Sequence, residues 1–174
     1  MKALLLIMSG LPFSGKTTLA QQLSAALNIP LLSYDYDIYA KHKTEVPPDT
    51  SPAKEFDIIE AIAREEIAKK LKRGQSIIYD DLCLEKDDRQ KLTQLAKECE
   101  VKSILLYVDT PISVIEQRRK KNIELNNRNH ISDDKLNLNI SLLQPPLPDE
   151  NAIMITPDTS VVEIVNAIKT RFEN

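Results

Sequence analysis

Glycine is scarce in this chain: it occurs three times in 174 residues, and two of those glycines lie in one short stretch, GLPFSGKTT (Gly10–Thr18). Two cysteines are too few for a disulfide framework. No run of about 18 apolar residues is present, so no transmembrane helix is predicted. Aromatic residues make up 5% with no tryptophan, and the net charge is only -3. This charge argues against attraction of the whole surface to nucleic acid or to an anionic membrane, with a local basic patch as the alternative.

Short apolar runs alternate with longer amphipathic ones along the chain. Such alternation predicts right-handed βαβ units and a parallel sheet covered on both faces. We therefore predict one three-layer α/β/α domain over residues 1–174. The small number of cysteines favours a reducing cytoplasm as its compartment. The five predicted strands are Ala3–Met8, Pro30–Tyr34, Ser76–Asp80, Ser103–Val108 and Ala152–Ile155.

Residues that typically begin and end helices lie between these strands. Pro52 is expected to begin a helix that ends before Gly74, and Ser160 with Glu163 forms a capping box for the last helix. A polar segment with three prolines, residues 41–54, is predicted to be a loop over one end of the sheet.

The glycine-containing stretch matches G-x-x-x-x-G-K-[ST] with Gly10, Gly15, Lys16 and Thr17, between a predicted strand and a predicted helix. The glycines let successive N–H groups point at phosphate oxygens, Lys16 faces the terminal phosphates, and the Thr17 hydroxyl can bind Mg²⁺. A chance match is the alternative. The stretch predicts ATP binding through the residues Gly10, Pro12, Phe13, Ser14, Gly15, Lys16, Thr17 and Thr18.

The scarcity of glycine also limits which class of P-loop NTPase this chain can belong to. The residues three positions before the glycines are Ile7, Pro12 and Leu71, so the D-x-x-G switch of a regulatory GTPase is absent. The Gly-Gly signature of a transporter ATPase is absent as well. These exclusions favour a kinase that phosphorylates a small acceptor.

Acidic residues follow two predicted strands, at the edge where parallel strands place ligand-binding groups. Asp35 is the candidate base for an acceptor hydroxyl, and Asp37, on the same face if the chain stays extended, could bind the acceptor. Asp37 could instead cap the following helix. Asp80 is favoured over Asp81 as a Mg²⁺ ligand, with a structural role at the next helix start as the alternative.

A basic segment over residues 119–131 follows the fourth strand and is predicted to be a small mobile lid. Together with Arg118, it would close over ATP and bring one or two arginines, Arg118 and Arg119, to the phosphates. The alternative is a solvated helix end, where basic residues suit the helix dipole.

Taken in order, these stretches resemble a family of small P-loop kinases akin to polynucleotide kinase and zeta-toxin-like ATP-binding proteins. The resemblance rests on LLLIMSGLPFSGKTTLA, the Asp after the second strand, IIYDD with Arg89 nine residues after Asp80, QRRKK, and HISDDKL through ITPDTSVVEIV. It implies that Asp35 activates the acceptor hydroxyl, that Arg118 and Arg119 embrace phosphate, and that Thr156 to Asp158 borders the nucleotide base. The family's usual glycine is replaced here by Phe13.

The expected function is transfer of the ATP γ-phosphoryl group, with Mg²⁺, to an acceptor hydroxyl of a small molecule. Two alternatives are a polynucleotide 5′-hydroxyl kinase and a nucleotide-binding protein without catalysis. Nucleic acid is the less favoured acceptor because few aromatic side chains are available to stack bases.

Overall fold

The computed structural model describes residues 3–125 and 131–173. Part of the predicted lid, residues 126–130, lies outside the described residues. Five parallel strands form one sheet in the order β2-β3-β1-β4-β5. The strands are β1 (Leu4–Ser9), β2 (Leu31–Ser33), β3 (Ile77–Asp80), β4 (Lys102–Val108) and β5 (Ile153–Ile155).

Helices connect the strands and cover the sheet. Each link between strands that are consecutive in the chain passes through at least one helix, as a right-handed crossover requires. A π-helical turn (Tyr34–Tyr39) follows β2, and 3₁₀ turns span Lys43–Glu45 and Pro148–Glu150. The α-helices are α1 (Lys16–Leu27), α2 (Ala40–His42), α3 (Pro52–Lys72), α4 (Lys86–Glu98), α5 (Ile112–Leu125), α6 (Asp133–Leu142) and α7 (Val161–Glu173).

Two apolar layers hold the helices on the sheet. Along β1, Leu5 and Ile7 face α3 and α4, whereas Leu4, Leu6 and Met8 face α1 and α7. All five of these side chains are buried, because β1 lies at the centre of the sheet and helices cover both faces. The three-layer α/β/α architecture with a five-stranded parallel sheet is confirmed.

The predicted punctuation is largely confirmed. Pro52 is the first residue of α3, Gly74 follows that helix with φ +75°, and Ser160 and Glu163 exchange the hydrogen bonds of a capping box. The loop predicted over residues 41–54 is wrong at both ends. Short helical turns continue to Glu45, because Ser33 and Asp37 start a helical segment directly after β2.

Among the helices of residues 3–125 and 131–173, none is both long and apolar enough to cross a membrane.

Candidate functional site

The loop between β1 and α1 is a strongly curved backbone cradle. Gly10 has φ +140° and Gly15 has φ +106°, conformations that residues with a Cβ rarely adopt. A Cβ on Gly10 would also lie 2.7 Å from the Val108 carbonyl oxygen of β4. Phe13 takes a positive φ of 61° between them. The loop therefore packs closely against the sheet: the Gly10 N–H donates to the Leu82 carbonyl oxygen at 3.0 Å and the Ser14 N–H to the Leu11 carbonyl oxygen at 3.2 Å. The curved backbone forms a concave surface of the kind that binds anions.

Lys16 is buried at the centre of this loop. Its Nζ donates a hydrogen bond to the Leu11 carbonyl oxygen at 2.8 Å. Burial lowers the pKa of Lys16 to about 8, against the opposing charges of Asp80 and Asp81. The ammonium is thus poorly solvated and, within residues 3–125 and 131–173, has a single hydrogen-bond acceptor, which favours an incoming anion.

Ser14 offers an unused hydrogen-bond donor in the cradle. Its Oγ is buried and has no hydrogen-bond partner within the described part of the chain. A phosphate oxygen is an acceptor that would satisfy it. The loop as folded therefore fits a phosphate chain through backbone N–H groups, an ammonium and a hydroxyl.

Thr17 and Asp80 meet where α1 begins and β3 ends, through a side-chain hydrogen bond. Burial raises the pKa of Asp80, while the Thr17 hydrogen bond and the charge of Lys16 oppose the rise. A hydroxyl and a carboxylate beside a phosphate site are oxygen ligands that Mg²⁺ prefers. In the described residues, no group of three or more His, Cys, Asp or Glu side chains could hold a metal by itself. Phosphate oxygens would have to complete the shell.

Asp81 lies next to Asp80 but in a different setting. Its Oδ1 accepts the Leu82 N–H at 2.7 Å, and its Oδ2 lies 3.4 Å from the Tyr79 hydroxyl. Burial raises the pKa of Asp81 to about 6, although the hydrogen bond and Lys16 oppose the rise. The sequence places two acids side by side, and only the fold separates their partners. Asp80 is hydrogen-bonded to Thr17, whereas Asp81 accepts from Leu82 and Tyr79; the charge of Asp35 raises the pKa of both.

Asp35 and Asp37 diverge, because the chain after β2 is helical and not extended. The Asp37 carboxylate accepts the Ser33 N–H at 2.9 Å and the Lys41 Nζ at 3.1 Å. Burial is outweighed by these hydrogen bonds, which hold the pKa of Asp37 below its usual value. Asp35 is exposed, and among the described residues its carboxylate has no hydrogen-bond or ion-pair partner. The register Ser33 to Asp80 places Asp35 and Asp80 at the same edge of the sheet.

The two candidate arginines also separate. Arg118 Nη1 donates to the carbonyl oxygens of Phe13 (3.1 Å) and Ser14 (2.7 Å), so it lies over the phosphate loop. Arg119 Nε donates to the Ile131 carbonyl oxygen at 2.9 Å, and its guanidinium pairs with Asp133. From the middle of α5, Arg119 thus binds the segment that begins α6 and would have to leave these partners to contact phosphate.

A cavity of about 500 Å³ opens beside the loop, between α1, α5 and the end of β5. Thr156 lines the cavity, whereas Asp158 is exposed and lies outside the cavity lining. Its other lining residues include Gly15, Thr18, Leu19, Arg118, Ile155, Pro157 and Val161. Its position next to the phosphate cradle suits a nucleoside.

Two supports of the site were not predicted. The buried Arg89 guanidinium binds Glu150 and also donates to the carbonyl oxygens of Cys83 (3.2 Å) and Leu84 (2.9 Å), which holds the loop that follows Asp81. The Thr110 hydroxyl donates to the Ser14 carbonyl oxygen at 2.9 Å. A polar residue two positions after the end of β4 was the sequence signal for this contact.

Comparison with known proteins places this geometry in a family. A model of the AAA_33 family, an AAA domain, matches residues 5–146. No curated protein matches the chain in sequence.

Three solved structures are similar to nearly the whole chain. Kti12 of Chaetomium thermophilum, in complex with ADP-AlF3, is 19% identical over 97% of each chain with a TM-score of 0.79. The Mycobacterium tuberculosis APS kinase CysC, in complex with AMPPNP and APS, is 17% identical over 99% of each chain with a TM-score of 0.72. A gluconokinase from Sinorhizobium meliloti 1021 is 16% identical over 97% of this chain and 93% of its own, with a TM-score of 0.68. These likenesses confirm a P-loop kinase-like fold; none of the three is a polynucleotide kinase or zeta-toxin protein.

Proposed function

Because this chain belongs to the AAA_33 family of AAA domains and has a P-loop kinase-like fold, we propose that it is an ATP-dependent phosphotransferase. It transfers the γ-phosphoryl group of ATP, with Mg²⁺, to a hydroxyl of a small acceptor molecule. The APS kinase and the gluconokinase among its structural neighbours support a small molecule as the acceptor.

One observation carries the proposal: the phosphate cradle, the metal-binding pair and a free carboxylate share one edge of the sheet. Lys16 and Thr17 begin α1, Asp80 ends β3 beside Thr17, and Asp35 follows the neighbouring strand β2. A kinase needs these three groups together, because the acceptor hydroxyl must meet the γ-phosphorus where the charge is neutralised.

Each group has a role in holding ATP. Backbone N–H groups of Gly10 to Thr18 cradle the phosphates, and the Lys16 ammonium exchanges the Leu11 carbonyl for phosphate oxygens. The nucleoside occupies the cavity beside Thr156. Thr17 and Asp80 would hold Mg²⁺, which neutralises charge on the β- and γ-phosphates.

In the transfer step, Asp35 accepts the proton of the acceptor hydroxyl. The hydroxyl oxygen forms a bond to the γ-phosphorus while the bond from that phosphorus to the β–γ bridging oxygen breaks, and ADP leaves with the electron pair. Arg118, already over the loop, turns its guanidinium from the Phe13 and Ser14 carbonyls to the transferring group. Arg119 remains a candidate second arginine that would first release Asp133.

The test uses γ-labelled ATP with Mg²⁺ and three variants of the chain. Labelled product should form with pooled hydroxyl metabolites and fall by about 10²- to 10⁴-fold in Asp35→Asn, with ATP binding retained. Asp37→Asn is the matched control, because that carboxylate is occupied by Ser33 and Lys41. Equal transfer by Asp35→Asn and wild type would contradict the role of Asp35.

The destination of label separates the remaining alternatives. Label on a 5′-hydroxyl oligonucleotide in place of a metabolite would identify a polynucleotide kinase. ATP that binds but is never cleaved with any acceptor would identify a nucleotide-binding protein without catalysis. Lys16→Ala should abolish turnover in either kinase.

A further inference from the structure

The aromatic residues of this chain are few, but half of them lie on or next to the segment that carries Asp35: three of the four are in ring contact, and Tyr36 follows Asp35 directly in the chain. Of five tyrosines and three phenylalanines, Tyr34, Tyr36, Tyr39 and Phe56 lie on the segment that follows β2 and the start of α3. The Tyr34 ring stacks on Tyr39 at 6.4 Å and meets Phe56 at 6.5 Å between centroids. Tyr36 is 66% exposed. We call these four residues the aromatic cluster.

Two rings of the aromatic cluster are largely exposed to solvent. Tyr36 and Phe56 leave at least half of their surface in water, whereas Tyr79 and Tyr107 in the sheet are buried. Rings that serve only the core are covered, so exposed rings beside a candidate reaction centre indicate a surface that a ligand covers.

The surroundings of the cluster are acidic. Residues 34–57 contain six carboxylates and three lysines. Two of the local cations already have partners, since Lys41 pairs with Asp37 and Lys43 lies over the Tyr39 ring. Among the described residues, Asp35 has no hydrogen-bond or ion-pair partner and Asp81 accepts hydrogen bonds from neutral donors, while the nearby Lys16 ammonium attracts both carboxylates without pairing with either.

An exposed aromatic ring beside unpaired carboxylates is a favourable environment for a cation. The ring face attracts an ammonium through its quadrupole, and the carboxylates add direct attraction in the same place. A carboxylate or phosphate on the acceptor would meet like charge here. A neutral planar acceptor could stack on the rings but would gain nothing from the carboxylates.

Resting on the proposed function, we infer that the acceptor is an amino alcohol, a small molecule with a hydroxyl for Asp35 and an ammonium for the aromatic cluster. The hydroxyl loses its proton to Asp35 and gains the γ-phosphoryl group, and the ammonium keeps its charge throughout the step.

The first test compares acceptors that differ only in charge. Glucosamine, glucose and gluconate form one series, and serinol, glycerol and glycerate form the second. With γ-labelled ATP, the kcat/KM should be highest for the amine and lowest for the acid in at least one series, with about tenfold between amine and neutral compound. Phosphorylation of the neutral or the anionic member at least as well as the amine in both series would overturn the inference.

Variants connect this preference to the cluster. Tyr36→Leu should reduce the preference for the amine by several-fold, and Tyr36→Phe should retain it because the ring face remains. Phe172→Leu is the control for loss of a ring away from the site: Phe172 lies on α7, and Lys102 Nζ is 6.0 Å from its ring centroid. An unchanged preference in Tyr36→Leu would remove the cluster from acceptor recognition.

A second measurement needs no acceptor and no turnover. The chain has no tryptophan, and Tyr79 and Tyr107 are buried, so collisional quenching of tyrosine fluorescence reports mainly on the aromatic cluster. Relative to N-acetyltyrosinamide in the same low-salt buffer, Cs⁺ should quench at least about twofold more effectively than iodide. The double variant Asp35→Asn/Asp81→Asn should lose this difference.

Iodide quenching equal to or stronger than that of Cs⁺ would overturn the inference whatever the transfer assay shows. A Cs⁺ preference combined with absence of transfer to every acceptor would leave the acidic aromatic surface established and contradict the proposed kinase activity. The two failures are therefore distinguishable.

Discussion

Arg89 and Glu150 form a buried two-pronged ion pair, with Arg89 Nε 2.7 Å from Oε2 and Nη2 2.9 Å from Oε1. Glu150 Oε1 also accepts the Leu147 N–H at 2.9 Å. Burial would raise the pKa of Glu150, but the hydrogen bonds from Arg89 and Leu147 outweigh it and hold the pKa below its ordinary value. The pair joins α4 to the 3₁₀ turn before β5 and holds the loop after Asp81 in place.

We expect Glu150→Ala to lower the free energy of unfolding by about 3–5 kcal/mol, because it leaves the Arg89 charge buried and unpaired. The double variant Arg89→Met/Glu150→Met should lose much less. Because folding lowers the Glu150 pKa, its contribution is present above the unfolded value of about 4.5 and disappears as the pH falls through the folded value. Urea unfolding at pH 7 and pH 3.5 measures both effects, and equal losses in the single and double variants would contradict the prediction.

Lys16→Met should weaken ATP binding by about 10- to 100-fold, because one charged hydrogen-bond donor to phosphate is lost. Without ATP, the variant should be more stable than wild type at pH 7.5, since folding buries the Lys16 charge. Between the folded pKa of about 8 and the ordinary value of 10.5, the unfolded chain binds the proton that the folded chain has lost. Wild-type stability therefore rises with pH relative to the variant, by up to about 3 kcal/mol.

Chemical unfolding of both proteins at several pH values from 7.5 to 10.5 gives this difference directly, because the other titrating groups are common to both. A constant difference over this range would show that Lys16 titrates normally.

Thr17→Ala should raise the Mg²⁺ concentration needed for half-maximal activity by about tenfold, because the hydroxyl beside Asp80 is lost. Thr17→Ser keeps the hydroxyl and should behave like wild type. Activity measured over a Mg²⁺ titration at saturating ATP provides the comparison. If Thr17→Ser shows the same defect as Thr17→Ala, the loss is one of packing and not of metal binding.

Arg118→Ala and Arg119→Ala should have different effects although the residues are adjacent. Arg118 contacts the phosphate loop, so its loss should reduce transfer by about 10²-fold. Arg119 binds Ile131 and Asp133, and its loss should change transfer by no more than about fivefold. Single-turnover rates with saturating ATP compare the two variants. A loss with Arg119→Ala as large as that with Arg118→Ala would mean that Arg119 also moves to the phosphates.

The sequence by itself determined the parts of this protein that depend on neighbouring residues. The candidate phosphate loop is one contiguous stretch. Local backbone geometry places Gly10, Gly15, Lys16 and Thr17 around one concave surface. Apolar runs and helix punctuation are equally local, which is why the strands and their parallel arrangement were predictable to within one or two residues at each end.

The tertiary structure decided which of several neighbouring candidates faces which partner. Asp37 accepts a hydrogen bond from Ser33, while the Asp35 carboxylate has no such partner among the described residues. Arg118 and Arg119 bind different partners from the middle of α5, and three of the scarce aromatic rings meet beside β2. No local pattern contains these outcomes, because each depends on where distant elements bring an acceptor, a charge or a second ring. The long-range pair of Arg89 with Glu150 is the plainest case, since nothing near either residue in the chain indicates the other.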